Sequence, residues 1–374
     1  MRRLLLALVV ALTGVVALAT PAPAAPVTPP TVTGSAVYGS TLTADPGVWS
    51  PPVASFGYQW LRDGVPVGGA TAPTYVPGLD DLGHSLAVQV TAVDGSGVAT
   101  SAPTAPVAEA TMTAKRQRIL GEARYTHRLK ARPGRFSAPH ATVSYRWPGG
   151  GTGRTYDVRP EDVGSRVVLR VHAEAPGYHP LTVKVRSAVV RHRVDVRRTV
   201  TYHVETRGRI TTSRAEFEKL AKATYDDPRG WRGAGIRFRP VAKGGSFTLV
   251  LAQAGLVPSF SSSCSSTWSC RVGRYVIINQ DRWKNASPAW NAAHLALRNY
   301  RHMVVNHETG HWLGLGHATC PGRGRLAPVM QQQSKGLQGC RFNPFPTTHE
   351  LDSRTPRGRA MAHLQARGYS PDVE

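Results

Sequence analysis

At 374 residues the chain exceeds one ordinary domain and suits two or three. Its 46 Lys and Arg against 23 Asp and Glu give a net charge of +23, and residues 1–107 hold only three basic residues beside five acidic ones, so the whole excess lies beyond them. Such a field favours polyanionic partners, and with a single long apolar run no second helical membrane span is expected.

That run comes first. Arg2 and Arg3 precede an apolar stretch from Leu4 to Ala19 and a Pro/Ala-rich stretch from Thr20 to Pro26. The order predicts a signal peptide over residues 1–24, with Ala22-Pro23-Ala24 fitting the A-x-A rule, and hence a secreted, extracellular protein. A membrane anchor fits less well, since about 20 apolar residues are needed to span and prolines crowd the end. No membrane span is expected once the signal is removed. No Cys stands directly after the run, which argues against a lipid anchor. Outside the cell the basic charge suits anionic wall polymers or acidic proteins, with no specific nucleic acid expected; simple solubility is the plain alternative.

Residues 31–107 read as all-β, with short alternating runs such as Leu86-Ala87-Val88-Gln89-Val90 between Gly, Pro and Asp turns. Residues 113–190 repeat the pattern. Pro46-Gly47 and Tyr58-Gln59-Trp60 return 87 positions later as Pro133-Gly134 and Tyr145-Arg146-Trp147, whereas Thr74-Tyr75 and Gly83 return 81 positions later as Thr155-Tyr156 and Gly164. The second copy has therefore lost six residues between its Trp and its Tyr, which points to one shortened hairpin. Repetition at this length marks tandem domains. Trp60 and Trp147 are expected in the two cores.

A basic connector, Arg191 to Arg198, leads to mixed structure. Thr199 to Glu205 alternates like a strand. Ser213-Arg214-Ala215-Glu216 is a capping box that opens an amphipathic helix to about Tyr225, before Pro228. Strand-like runs follow at Ile236 to Val241, Phe247 to Leu251 and Tyr275 to Asn279, then a helix from about Ala292 to Leu313. The order β-α-β-β-β-α is that of an α+β domain, placed at residues 198–374.

All four cysteines, Cys264, Cys270, Cys320 and Cys340, lie in this part. An even number in an oxidising compartment predicts two disulfides. Three pairings are possible; the sequence-local one, Cys264 with Cys270 and Cys320 with Cys340, is favoured. A four-cysteine metal site competes, but C-x-x-C spacing is lacking.

The last helix ends in His307-Glu308-Thr309-Gly310-His311-Trp312-Leu313-Gly314-Leu315-Gly316-His317. His307 and His311, four apart, share a helix face and can reach one ion. Gly314 and Gly316 can adopt left-handed conformations that end the helix and return the chain, so that His317 supplies a third nitrogen. Three protein ligands leave a position open for water, as in catalytic Zn2+ sites. Glu308, one step round, is placed to act as general base in hydrolysing an amide. His302, five residues before His307, points elsewhere, as a surface or supporting histidine.

These residues resemble the metzincin clan of zinc metallopeptidases, matching its H-E-x-x-H-x-x-G-x-x-H at every fixed position. The resemblance implies a Met-turn beneath the metal, for which Met330 in Ala327-Pro328-Val329-Met330-Gln331 is the candidate. Only 12 residues separate it from His317, and no Tyr follows it, so a tyrosine fifth ligand is not implied. It also implies an edge strand above the cleft that pairs with an extended substrate, here Tyr275 to Asn279. The motif, Met330-Gln331-Gln332-Gln333 and Cys340-Arg341-Phe342-Asn343-Pro344 are similar to a family of actinobacterial secreted zincin-like domains. The two repeats resemble the immunoglobulin-like modules of exported bacterial proteins. The expected architecture is therefore two all-β immunoglobulin-like sandwiches followed by an α+β zincin-like domain. The expected activity is that of a secreted zinc endopeptidase acting on protein or peptide substrates.

Two other readings share these residues: a wall- or surface-binding protein with a non-catalytic zinc site, and a zinc amidase acting on peptidoglycan peptides. No Cys precedes Cys264, which excludes a cysteine-switch propeptide; Asp195 in the connector is a candidate acidic blocker of the metal.

Overall fold

The structure is a computed structural model that describes residues 24–95 and 97–353. The expected signal peptide lies outside the described residues apart from Ala24. The chain is a multidomain, β-rich protein. Two compact units are distinguished: one holds the described residues up to Arg116 with Pro133–Ser144 and Val171–Val183, the other holds Gln117–Arg132, Tyr145–Arg170 and the described residues from Lys184.

Within the first unit, a three-stranded sheet (Thr31–Thr33, Leu42–Asp45, Thr74–Tyr75) and a four-stranded sheet (Val65–Pro66, Phe56–Arg62, Leu86–Ala92, Val98–Thr100) are antiparallel. Alternation along Leu86–Ala92 sends Leu86, Val88 and Val90 into one core with Leu42, Trp49 and Trp60. Trp60 is fully buried, donates its indole N–H to Ala72 O (2.9 Å) and stacks on Tyr75. The Tyr75 hydroxyl donates to buried Asp81, whose carboxylate also accepts from Gly78 N and Arg62.

The same cluster recurs inside the second unit. Trp147 is buried, donates to Gly153 O (2.8 Å) and stacks on Tyr156, whose hydroxyl donates to Asp162. The repeat thus carries a hydrogen-bonded device and not only a hydrophobic pattern. The missing six residues also have a location. In the first copy the Trp60 strand turns back as a hairpin through Leu61↔Pro66, whereas in the second a single 3-10 turn, Pro148–Gly150, follows Trp147 directly.

Beyond the connector a five-stranded sheet forms from β1 (Arg198–Arg207), β2 (Ile236–Pro240), β3 (Phe247–Ala252), β4 (Cys270–Val272) and β5 (Tyr275–Asn279), in the order β2-β1-β3-β5-β4. β1, β2, β3 and β5 are parallel, and β4 pairs antiparallel with β5. Every residue of β3 is buried, as its place inside a parallel sheet requires. The short strand β4 was not predicted, and it, not Tyr275–Asn279, is the edge on that side of the sheet. Three residues, two of them polar or cysteine, carry no readable alternation.

Helices α1 (Arg214–Asp226), α2 (Gln280–Asn285), α3 (Pro288–Ala292), α4 (Leu297–Trp312) and α5 (Thr348–Ser353) accompany the sheet. Ser213 caps α1 by accepting from Glu216 N. The predicted long helix from Ala292 is divided: His294 takes a positive φ of 53°, which breaks the helix, and α4 starts at Leu297. The core between helices and sheet is aromatic, with Tyr202, Phe217, Tyr225, Trp231, Phe247, Trp283 and Tyr300 all buried. Both expected disulfides are present, Cys264–Cys270 and Cys320–Cys340. No described helix is long and apolar enough to cross a membrane.

Candidate metal centre

α4 is pinned before it presents anything. Tyr225 and Thr309 share a buried hydroxyl hydrogen bond of 2.9 Å, and Trp231 donates its indole N–H to Asn306 O. His302 is buried, not at the surface, and donates from Nδ1 to Thr224 Oγ1, itself bonded to Leu220 O. These contacts fix the helix against α1 and its neighbours, so the face carrying His307 and His311 is set by packing.

The helix ends at a left-handed Gly314, φ +87°. Gly314 N–H donates to His311 O and Leu315 N–H to Gly310 O, the paired bonds of a Schellman motif. One left-handed glycine suffices: Gly316, expected to share this role, does not have a positive φ. The reversal brings His317 back over the helix, and ligand atoms of His307, His311 and His317 all lie within 4.8 Å of one another.

The tautomers follow from their partners. His307 Nδ1 lies 2.7 Å from Val329 O and His311 Nδ1 lies 2.9 Å from Leu315 O. A carbonyl only accepts, so each Nδ1 carries the proton and each Nε2 offers a lone pair. His307 Nε2 and His317 Nε2 sit 3.1 and 3.2 Å from His311 Nε2. With the lone pairs of His307 and His311 turned toward each other, the close approach between them is not a hydrogen bond but a donor set aimed at one point. Burial, reinforced by the neighbouring His311, holds His307 neutral and its pKa down to about 3. Burial likewise lowers His311 and His317. Neutral, convergent imidazoles are what a metal ion requires, and these three fit one.

Glu308 lies beside them, 6% exposed. Among the described residues its carboxylate makes no hydrogen bond or ion pair, and burial pushes its pKa up to about 8 against the lowering charge of Arg271. It lines the same cleft of about 380 Å³ as the three histidines, with Arg271 and Lys335 also in the walls.

Met330 packs beneath the motif. A Cβ built on Gly310 would meet Met330 Sδ at 2.2 Å and the Trp231 ring at 2.9 Å, so the motif's glycine is the space this packing occupies. The backbone around Met330 is as important. Val329 O takes the His307 proton, and Met330 O accepts Ala318 N–H, the residue after His317. Buried Glu350 holds that backbone: its carboxylate accepts from Val329 N (3.0 Å), Met330 N (2.8 Å) and both the N–H (2.7 Å) and hydroxyl (2.9 Å) of Thr347.

All the predicted ligands, Glu308 and Met330 are thus brought together. Cys320–Cys340 closes the segment that contains Met330, and Cys264–Cys270 lies in the cleft wall. Asp195, the candidate blocker, is instead engaged by Arg124 at 3.4 Å and is absent from the cleft. Glu350 and Arg271 were not singled out from sequence. Glu350 in Thr347-Thr348-His349-Glu350 has a faint signal, the capping-box spacing, since Thr347 and Glu350 do bond across α5's first turn.

A family model described as "Protein of unknown function (DUF3152)" matches residues 182–354. No curated protein matches the chain. Three N-terminal domains of the bacteriophage RB49 highly immunogenic outer capsid protein (Hoc) align at 15% identity, over 48% of this chain and 65% of that one, with a TM-score of 0.25. The tandem Ig repeats of Dlar align at 13% identity over 44% of this chain and 96% of that one, TM-score 0.17. A two-domain fibronectin type III segment from chicken tenascin aligns at 14% identity over 42% and 99%, TM-score 0.22. The stretch similar to DUF3152 takes in the three histidines, Glu308, Met330, Glu350 and the whole cleft wall.

Proposed function

We propose that this protein is a zinc-dependent endopeptidase working outside the cell. The observation that carries the reading is the convergence of three neutral Nε2 atoms beside a buried carboxylate that has no hydrogen-bond partner among the described residues, all in one open cleft. A structural metal site has no use for such a carboxylate, and burying it unpaired costs stability, a cost that a role in the chemistry explains. The two disulfides support an oxidising compartment. The α+β arrangement, a mainly parallel sheet with an antiparallel edge strand and the motif helix packed beside it, supports a zincin-like fold.

His307, His311 and His317 would hold the ion, and three nitrogen ligands suit Zn2+. When bound, zinc supplies Lewis acidity that polarises a carbonyl and acidifies water. Glu308 accepts the proton of the attacking water at its carboxylate and delivers it to the amine nitrogen that leaves. Its raised pKa makes it a better base than an exposed glutamate, and a cation nearby draws that value back toward neutrality, where both transfers proceed. Tyr225, Thr309, Met330 and Glu350 hold the ligands in place, which keeps the reacting atoms oriented.

The test is digestion of a diverse peptide mixture by the zinc-loaded protein beside Glu308→Gln, each with its bound zinc quantified and products read by mass spectrometry. The reading requires cleavage by the wild type and its loss in Glu308→Gln at equal zinc. Full zinc with no cleavage by the wild type overturns it.

A further inference from the structure

The walls of the cleft are lopsided in charge. Glu308 is the only carboxylate among the residues that line it, and it sits at the reaction centre, whereas Arg271 and Lys335 stand on the walls. Both cations are exposed, and among the described residues neither side chain makes a hydrogen bond or a salt bridge, while the charge of Arg271 acts on Glu308 and His311. In a chain so rich in Arg, two unpaired surface cations are unremarked by themselves; two that share a cleft with the candidate nucleophilic centre are not.

Each cation has a rigid stem. Arg271 stands on the edge strand β4, paired with Val276 of β5, and the preceding residue is clamped by the Cys264–Cys270 disulfide. Lys335 follows a segment held at several points. Gln333 is fully buried and exchanges hydrogen bonds with Asn343 (Nε2 to O, 2.8 Å; Asn343 N to Oε1, 2.9 Å), and Ser334 bonds the Tyr300 hydroxyl of α4 at 2.9 Å. Two positive heads on anchored backbones, neither in a salt bridge among the described residues, form a preorganised receptor for negative charge at small entropic cost. Ser263, Ser265 and Ser269 also line the cleft, beside apolar Trp268, Met303 and Val304.

We infer that Arg271 and Lys335 select substrates bearing a carboxylate close to the bond that is cut. The inference rests on the peptidase reading and names the substrate class for that cleft. The carboxylate belongs either to an acidic side chain or to the free C-terminus of the substrate; an acidic residue extends the reaction along a chain, a terminus confines it to the last residues. A neutral peptide lacks the partner both cations need, and a basic peptide meets like charge.

The experiment uses the full chain carrying Glu308→Gln, loaded with zinc, so that peptides bind without being cut. Four labelled peptides share one neutral sequence: an amidated form, an amidated form with a central Glu, a free-acid form, and an amidated form with Lys at the Glu position. Affinity is read by fluorescence anisotropy at low and high salt. The carboxylate-bearing peptides are expected to bind about fivefold tighter for each cation they engage, with the gap closing as salt rises. Whether the central Glu or the free terminus gives the gain assigns the source. Arg271→Gln and Lys335→Gln, both at exposed positions, should each remove about fivefold of the preference while leaving the zinc content unchanged.

Binding of the amidated neutral peptide as tight as that of both the central-Glu and the free-acid peptides overturns the inference, as does a preference that survives both substitutions. Failure of every peptide to bind also overturns it, and cleavage of neutral peptides by the wild type would then leave the peptidase reading standing. A carboxylate preference without any cleavage by the wild type overturns the peptidase reading alone.

Discussion

Glu350→Gln tests how the centre is held. The native carboxylate accepts four hydrogen bonds, three at Oε2 (Val329 N, Thr347 N, Thr347 Oγ1) and one at Oε1 (Met330 N). An amide has a single acceptor oxygen. Its best placement keeps the three-donor side and turns the NH2 toward Met330 N–H, so two donors face each other in a buried site. A buried donor left unpaired costs about 1–3 kcal/mol, and bonds to a charged acceptor are worth about 1.5–3 kcal/mol. The expected local loss is about 2–3 kcal/mol. Because Val329 O orients His307 and Met330 O ties the segment after His317, metal affinity should fall about 10- to 100-fold. In a multidomain chain a global melting point blurs this effect, so the assay is amide hydrogen exchange at Val329, Met330 and Thr347, with zinc affinity by competition against a chromophoric chelator. Glu218→Gln, at an exposed pair with Arg214, serves as control with a change of less than about 1 kcal/mol. Native exchange at Met330 together with native affinity in Glu350→Gln would refute the argument.

Three further outcomes follow from the geometry. Glu308→Gln should keep its zinc and lose about 10²- to 10⁴-fold in turnover, and a chelator should abolish cleavage by the wild type until zinc is restored; turnover and metal content read both. Gly310→Ala should destabilise by about 1–3 kcal/mol despite alanine's helix preference of about 1 kcal/mol, because the new methyl meets Met330 and Trp231; thermal unfolding with and without zinc checks the sign. In the first repeat, burial pushes the Asp81 carboxyl up, but bonds from Gly78 N, Tyr75 and Arg62 prevail and hold it below its ordinary 3.8. Its stabilisation is therefore fully present above pH values near 3.8 and is lost as pH falls through the lower native value, so the stability gap between wild type and Asp81→Asn should narrow across that acid range, followed by Trp60 fluorescence.

Much of the centre was legible because its logic is local. The four-residue spacing of His307 and His311 is a helix-face statement, and Gly314 is a helix-end statement; both are short-range consequences of backbone geometry. The repeats were legible because the same Trp and Tyr return with the same turn residues, and Trp60 and Trp147 bury as expected. Cysteine pairing followed sequence proximity. What escaped was non-local or brief. Strand β4 is three residues long and is defined by its pairing with β5, not by its own pattern. The helix break at His294 is a positive φ at a residue that seldom adopts one. Glu350 acts on a segment 20 residues away, and Arg271 acts on a cleft assembled from several elements, so neither leaves a periodic or motif signal.

The motif therefore specifies only part of its own centre. His311 is oriented from within, since its Nδ1 bonds Leu315 O and Leu315 is fixed by the same Schellman turn that ends the helix. His307 and His317 are oriented from outside, through two adjacent carbonyls, Val329 O directly and Met330 O through Ala318 N. The two amides of those same residues are the ones Glu350 holds. Residues 329–330 thus work as a backbone clamp whose upper side addresses two of the three imidazoles and whose lower side is fixed by a buried carboxylate. The Met330 side chain fills the space left by Gly310, so packing and hydrogen bonding act on the same two residues from different directions. A H-E-x-x-H-x-x-G-x-x-H sequence without such a clamp would present one well-oriented imidazole and two free to turn, which is why the geometry of the centre is a property of the fold and not of the motif alone.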